Sequence, residues 1–346
     1  MDIKHSRRSF LQTAGAAGVA AAVGQVSTAA AQANPDDGVR RFHCVQMDVF
    51  TSRRLEGNPL AVFTDGRGLS DSEMQDLARE TNLQETTFVF PRDAATEREQ
   101  GVKVRIFVPN EEIPFGGHPT LGTAMVLRNL RLASQKSGSA KSTDVAEITL
   151  DLKVGKVPVD FRTDQSGNIF GEMHQVDPIF GPVHDRDTIA ALLDLSPRDI
   201  SSDAPIQTLS TGLFFIIVPI KNLSTLQRLT VARQKAYDYL SRQKLPELPD
   251  FYYVTRDTGD AAVGLRSRGI FSTSEDPATG SAAGCTAAWM VRYGIAKPGE
   301  VVHILQGVEI KRPSHIFVRA SKDADSVKNV RVGGHAVQIM EGTVSL

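Results

Sequence analysis

The chain lacks an excess of charge of either sign. Lys and Arg number 39 against 40 Asp and Glu, a formal net charge of -1, and no long basic run or Lys/Arg-rich helix occurs. That balance removes the electrostatic case for nucleic acid or an anionic membrane as a partner. Cysteine is scarce, with Cys44 and Cys285 the two present, and no Cys/His cluster has metal-ligand spacing. Neither a Gly-x-Gly-x-x-Gly fingerprint nor a phosphate-loop Gly-Lys-Ser/Thr is found, so no dinucleotide or nucleotide loop is expected. No cofactor is expected. Long hydrophobic runs are missing too. The most apolar stretch, residues 13–26, is too short and too rich in Ala and Gly for a membrane span.

That stretch belongs to an address. Arg7 and Arg8 in Ser6-Arg7-Arg8-Ser9-Phe10-Leu11 form a twin-arginine pattern ahead of it, and Ala31-Gln32-Ala33 behind it is a small-x-small cleavage site. Residues 1–33 therefore read as a twin-arginine signal peptide, and the mature protein is expected outside the cytoplasm, in the periplasm or secreted. Cleavage takes away Lys4, Arg7 and Arg8 against Asp2, which leaves the mature chain mildly acidic. An oxidising compartment permits a Cys44–Cys285 disulfide. One cysteine lies in the first strand and the other inside a helix of the other half, so both read as small buried apolar side chains.

A length of 346 residues exceeds what one core usually organises, so two lobes are expected. Residues 41–50 alternate and read as a strand. Residues 57–59 read as a turn, and residues 60–64 as a second strand. Ser70 with Glu73 three residues on forms a capping box for a helix that buries Met74, Leu77 and Ala78 and ends near Asn82. Strands are read at 85–90, 102–108, 147–152 and 156–161. In the second half they are read at 213–220, 251–254, 301–305, 308–311, 316–320 and 336–340, with a helix over 231–243. Residues 134–142 read as a mobile surface loop. The mixture does not alternate as a Rossmann fold does.

Two segments match each other. His118-Pro119-Thr120-Leu121-Gly122-Thr123-Ala124 lines up with Asp276-Pro277-Ala278-Thr279-Gly280-Ser281-Ala282. Both read as helix starts, with Pro at the first helical position, where a missing N–H costs nothing. Asp276 is a good N-cap; His118 is a poor one, which points to chemistry there. Two helix N-termini facing one cleft would offer free N–H groups and positive dipole ends to a carboxylate and a developing oxyanion.

At these residues the chain resembles the phenazine-biosynthesis PhzF-like isomerases. The pieces run in order from Gly57-Asn58-Pro59-Leu60 through Asn82-Leu83-Gln84-Glu85-Thr86-Thr87 and Phe115-Gly116-Gly117-His118-Pro119. They continue through Glu275-Asp276-Pro277-Ala278-Thr279-Gly280-Ser281 and Gln306-Gly307 to Arg312-Pro313-Ser314 and Val332-Gly333-Gly334. The resemblance covers nearly the whole mature chain. It implies an α+β fold like that of diaminopimelate epimerase: two pseudo-symmetric lobes, each a curled, mostly antiparallel sheet around a central helix. The implied lobes are residues 40–163 plus 332–346, and residues 164–331. The resemblance also implies Glu85 as general acid/base, His118 and Asp276 as its assistants, and Gly117, Gly280 and Ser281 as substrate-binding positions. A homodimer and a small-molecule carboxylate substrate are implied as well. The export signal is a departure, since the best-known members work in the cytoplasm, and it bears on whether the substrate is a phenazine precursor. Neither helix start carries the cysteine that the epimerase relatives use.

The expected activity is a proton moved within a small unsaturated or cyclic carboxylate, with no cofactor. It needs one acid/base, dipoles for an enolate-like charge and a dry site. Other readings remain open at this stage: Glu85 as a solvated strand-end carboxylate, Asp276 as a plain N-cap and His118 as a structural histidine. The alternative functions are a one-carboxylate racemase or epimerase of an amino-acid derivative, and a periplasmic binding protein without turnover.

Overall fold

The structure is a computed structural model and describes residues 38–136, 145–246, 248–271 and 274–346. The signal peptide with its cleavage site, and residues 137–142 of the expected surface loop, lie outside the described residues. Residues 134–136 are the end of a helix.

The first half contains β1 (Arg41–Val49), β2 (Asn58–Phe63), α1 (Asp71–Thr81), β3 (Glu85–Phe90), α2 (Ala94–Gln100), β4 (Val102–Phe107) and β5 (Glu112–Ile113). It continues with α3 (Gly117–Lys136), β6 (Glu147–Leu152), β7 (Gly155–Thr163) and β8 (Ile169–His174). Then follow β9 (Ile179–Val183), α4 (Arg186–Leu192), β10 (Gln207–Ser210), β11 (Phe214–Pro219), α5 (Leu223–Arg228), α6 (Arg233–Leu240), β12 (Asp250–Thr255) and β13 (Leu265–Ile270). The chain ends with β14 (Glu275–Asp276), α7 (Gly280–Arg292), β15 (Val302–Gln306), β16 (Ser314–Asp323), β17 (Ser326–Gly334) and β18 (Ala336–Ser345).

Strand pairing exposes the repeat that the two helix-start motifs announce. In the first half β1 pairs antiparallel with β2, β2 parallel with β3, β3 antiparallel with β4 and β4 parallel with β6. Antiparallel β7 and β8 follow. In the second half β10, β11, β12, β13, β15, β16 and β17 repeat the same sequence of antiparallel and parallel steps. The short β5 flanks β4 as β14 flanks β13. Each half thus folds the same way, and β8 pairs with β17 to join them. The outer strands β18 and β9 pair with β1 and β10.

Each half wraps one helix. α3 packs against β1, β2, β3, β6, β7 and β8, and α7 against β10, β11, β16 and β17. A helix enclosed on all sides must be apolar or small all round; α7 is so over most of its length, and α3 is buried through residue 128 before it emerges with Asn129 and Arg131. The α7 run Gly280-Ser281-Ala282-Ala283-Gly284-Cys285 is buried without a break, and its lack of bulk lets strands approach closely. Cys285 lies there, buried and unpaired, and Cys44 in β1 is likewise free.

Local signals in the sequence account for most boundaries. Ser70 and Glu73 form both bonds of the capping box at α1, and Asn82 closes that helix in the left-handed region, φ 49°. Three expectations are corrected. The turn read at 57–59 is confined to Gly57, at φ 71°, where a Cβ would lie 2.3 Å from the Val49 carbonyl oxygen. Asn58 and Pro59 are already in β2. Residues 308–311 are a turn rather than a strand, because Gly307 and Lys311 take φ 77° and 61° and Arg312 N–H closes onto Gly307 O at 2.9 Å. Finally, Asp276 does not cap α7. It pairs with Gly269 in β14, and the helix opens only at Gly280, with Thr279 at its N-cap position.

The two central helices meet at their N-terminal ends. A Cβ on Gly117 would lie 2.5 Å from the Cα and C of Gly280 and the N of Ser281. Below them sits Phe50, held at φ 64° by His335 O and His315 N, a conformation that costs a non-glycine residue about 1–3 kcal/mol. Its ring would be 2.9 Å from a Cβ on Gly280. Backbone faces backbone here with no flexible side chain to yield. Gly117→Ala is therefore expected to lower stability by about 1–3 kcal/mol or more, read as the denaturant midpoint. An unchanged midpoint would mean that the helix starts are not in contact.

Candidate active site

First-turn N–H groups of a helix have no acceptor within it, and residues at both helix starts, Gly116, Thr279 and Ser281, line one cleft. β3 begins beside them. Glu85, its first residue, pairs in register with Leu60 of β2, and its Oε1 is 3.6 Å from where a Cβ on Gly116 would stand. A Cβ at 116 would touch that carboxyl and would press into the Pro119 ring, whose Cγ would be 2.5 Å away.

A continuous polar chain runs from Glu85 across the crossing. Glu85 Oε2 is 3.5 Å from His118 Nε2, and His118 Nδ1 is 3.1 Å from Asn58 Nδ2. Asn58 Nδ2 donates to Asp276 Oδ1 at 2.7 Å and to Ala278 O at 3.0 Å. Thr279 Oγ1 donates to Asp276 Oδ2 at 2.6 Å. Gln306 braces this end: its Nε2 donates to Asp276 O and Thr279 Oγ1, and its Oε1 accepts from Thr279 N–H. The Tyr252 hydroxyl, 2.8 Å from both Gln306 Oε1 and Ser267 Oγ, completes the brace. Asp276 is fixed by its neighbours. Glu85 accepts no hydrogen bond, and His118 Nε2 is a buried nitrogen with no hydrogen-bond partner among the described residues.

That asymmetry decides where the charge lies. Burial pushes the Glu85 carboxyl well above the ordinary range, and the negative charge of Asp276 pushes it further. Burial also raises Asp276, but Thr279, Asn58 and the Ala278 N–H stabilise its anion. Burial still leaves Asp276 raised to about 7, so the pair favours the proton on Glu85 and the charge on Asp276. Burial depresses His118 to about 3, so its imidazole is neutral.

A cleft of about 730 Å³ opens over this chain, lined by Glu85, Gly116, Asp276, Thr279 and Ser281, with Phe215 and Phe271 among its walls. The Glu85 side chain keeps 17% exposure and that of His118 3%. The carboxyl faces the cleft while the imidazole stands behind it. The six residues singled out from the sequence are thus brought together: Glu85, Asp276 and Ser281 on the cleft, Gly117 and Gly280 at the helix crossing, His118 buried behind. Sequence reading missed Asn58, Thr279, Gln306 and Tyr252 as parts of the site. Asn58 lay in a supposed turn, and Thr279 and Gln306 lay within motifs quoted above without a role. Among the described residues no group of three or more His, Cys, Asp or Glu is placed to hold a metal ion, and no helix is long and apolar enough to cross a membrane.

The raised Glu85 carboxyl ties stability to pH. Between the ordinary carboxylate pKa and the folded value, the native state keeps a proton that the unfolded chain has released, so stability falls as pH rises. Glu85→Gln removes this slope. Its stability relative to wild type is expected to increase from about pH 5 to about pH 8, followed by denaturant midpoints. A gap that does not change with pH would show that Glu85 titrates normally.

Known proteins share this arrangement of chain. The profile of the phenazine biosynthesis-like protein family (PhzC-PhzF) matches residues 47–342, and that of the twin-arginine pathway signal sequence matches residues 4–24. The trans-2,3-dihydro-3-hydroxyanthranilate isomerase of Pseudomonas chlororaphis is 33% identical over 309 residues, 88% of this chain and 99% of its own. The crystal structure of a PhzF-family phenazine biosynthesis protein from Bacillus anthracis superposes with a TM-score of 0.74 at 27% identity. A predicted epimerase from Pseudomonas aeruginosa does so with 0.70 at 33%. Each alignment spans 88% of this chain and 99% of the other. The leader directs export through the twin-arginine pathway, and the chain belongs to the phenazine biosynthesis-like PhzC-PhzF family as an enzyme of the isomerase class.

Proposed function

We propose that the protein moves a proton between carbons of a small unsaturated or cyclic carboxylate, with Glu85 as the group that takes and returns it. The observation that carries this reading is the contrast between the two buried carboxyls. Three donors stabilise the Asp276 anion, whereas Glu85 has none among the described residues and faces the cleft. A carboxyl with a raised pKa is a stronger base when ionised and a ready acid when protonated.

In this reading the substrate carboxylate lies against the free N–H groups at Gly117, Gly280 and Ser281. The fraction of Glu85 that has released its own proton to solvent through the cleft takes a proton from a ring or chain carbon conjugated to that carboxylate. The electron pair moves toward the carboxylate, where the two helix N-termini oppose the growing negative charge. Glu85 then returns the proton to a different carbon, and the double bond has migrated. His118, neutral and buried beside Glu85, orients its carboxyl, and Asn58 and Gln306 keep Asp276 in place. The substrate class is supported by the name of the Pseudomonas chlororaphis relative, a cyclic unsaturated acid isomerase.

The second carboxyl on the cleft favours one other reading. A protonated Glu85 and an ionised Asp276 together could invert a stereocentre, one giving a proton while the other takes one. Turnover in deuterium oxide separates the two. Migration places solvent deuterium at a new carbon, whereas inversion places it at the original carbon with opposite configuration. Glu85→Gln keeps the shape but carries no transferable proton, so turnover is expected to fall by about 10²–10⁴-fold while binding of a carboxylate persists. Asp276→Asn is expected to lose less under migration and as much under inversion. Near wild-type exchange by Glu85→Gln would move the base to Asp276.

A further inference from the structure

The two halves repeat their strand order, and they also repeat the kind of residue that opens the crossover strand. In the first half the chain leaves β2, passes through α1 and returns as β3, parallel to β2 from the pair Leu60–Glu85 onward. In the second it leaves β11, passes through α5 and α6 and returns as β12, parallel to β11 from the pair Phe215–Asp250 onward. Glu85 and Asp250 are the first residues of these matched strands. The faces match as well. Thr86 and Phe88 turn outward to α1 and its core, as Phe251 and Tyr253 turn to the core of α5 and α6. Thr87 turns inward to Thr123 of α3, and Tyr252 inward to the Gln306 brace. Side chains two residues apart share a face of a strand, so Glu85 and Asp250 both lie on the inner face at their strand starts. Both line the cleft, one from each half.

The Asp250 carboxyl has no hydrogen bond and no ion pair among the described residues. Arg233 shares a small apolar pocket with it and forms no ion pair with it. A carboxyl withdrawn from water without a partner destabilises a fold, so packing gives no reason for this one. Burial pushes it up to about 6, which leaves it largely ionised at neutral pH. The other two carboxyls at the helix starts are differently placed. Glu85 favours its proton, and both oxygens of Asp276 accept hydrogen bonds, from Asn58 and Thr279. The site therefore holds an acid, and Asp250 is a carboxylate on the same cleft with its lone pairs free.

We propose that Asp250 is a second proton-transfer residue of this site, the base that works with Glu85 as acid. The proposal rests on the reading above that Glu85 exchanges a proton with the substrate, and it adds a second route to that exchange. As a substrate C–H bond breaks, the proton forms an O–H bond on Asp250. The electron pair enters the system conjugated to the substrate carboxylate. Protonated Glu85 gives its proton to another carbon of that system. The two carboxyls end with exchanged protonation, and solvent in the cleft resets them, Asp250 losing a proton and Glu85 gaining one.

The test is covalent labelling with 3,4-epoxycyclohexanecarboxylate, which needs the same pair of groups and no turnover. A free carboxylate oxygen attacks an epoxide carbon, the C–O bond of the ring breaks, and its oxygen takes the proton of the acid. Peptide mapping by mass spectrometry is expected to place the ester on Asp250 of the wild type. Excess cyclohexanecarboxylate prevents it. Labelling slows by about 10²-fold or more in Glu85→Gln, where the acid is gone. Asp250→Asn takes up no label in the cleft, and its thermal midpoint stays level or rises because no native contact is lost. An ester on Glu85 or Asp276 in place of Asp250, no ester in the wild type, or a lowered midpoint in Asp250→Asn overturns the proposal. Failure of the Glu85 reading shows differently: Asp250 is then labelled at the wild-type rate in Glu85→Gln.

Discussion

The backbone contact between Gly117 and the Gly280–Ser281 peptide is the constraint on which the rest depends. Two helices can bring their N-termini together only if neither carries a side chain at the crossing, and a Cβ on Gly117 would lie 2.5 Å from Gly280. Once they cross, Gly116 at one start and Thr279 and Ser281 at the other line one cleft, and β3 and β14 deliver Glu85 and Asp276 to it from opposite halves. The strained Phe50 beneath and the small residues along α7 serve the same closeness. The duplicated strand order supplies each helix with its own wrapping, so two copies of one architecture build a single site where they touch.

The chemistry follows from unequal support of two similar groups. Hydrogen bonds to a charged group contribute about 1.5–3 kcal/mol each, and Asp276 receives three where Glu85 receives none. Desolvation acts on both in the same direction. The difference therefore lies in the donors, and it favours Glu85 as the carboxyl that holds the proton. Asn58 adds to the contrast from across the fold, since it belongs to the first half yet donates to Asp276 of the second. The burial of His118 adds no positive charge to offset the pair.

Much of this was legible from residues alone, and the failures have physical causes. The capping box at Ser70 and Glu73 is a local signal and fixed the start of α1. The matched helix-start motifs announced the duplicated fold because a narrow helix entry demands Pro and small residues wherever it occurs. The same motifs misled about register: Asp276-Pro277 resembles a cap, but Asn58 and Thr279 hold Asp276 in β14 and the helix opens later. That is a tertiary effect with no local trace. Asn58 was hidden because Gly-Asn-Pro has turn chemistry, of which only Gly57 makes use.

The central claim is that two carboxyls at the meeting of the helix starts share one proton and that Glu85 holds it. Carboxyl carbon-13 NMR across a pH titration of wild type, Glu85→Gln and Asp276→Asn addresses this directly. The account predicts one glutamate resonance that titrates well above the ordinary range in wild type, vanishes in Glu85→Gln and moves back down in Asp276→Asn, where the neighbouring charge is gone. Ordinary titration of every glutamate in wild type, or a raised resonance indifferent to Asp276→Asn, would contradict it.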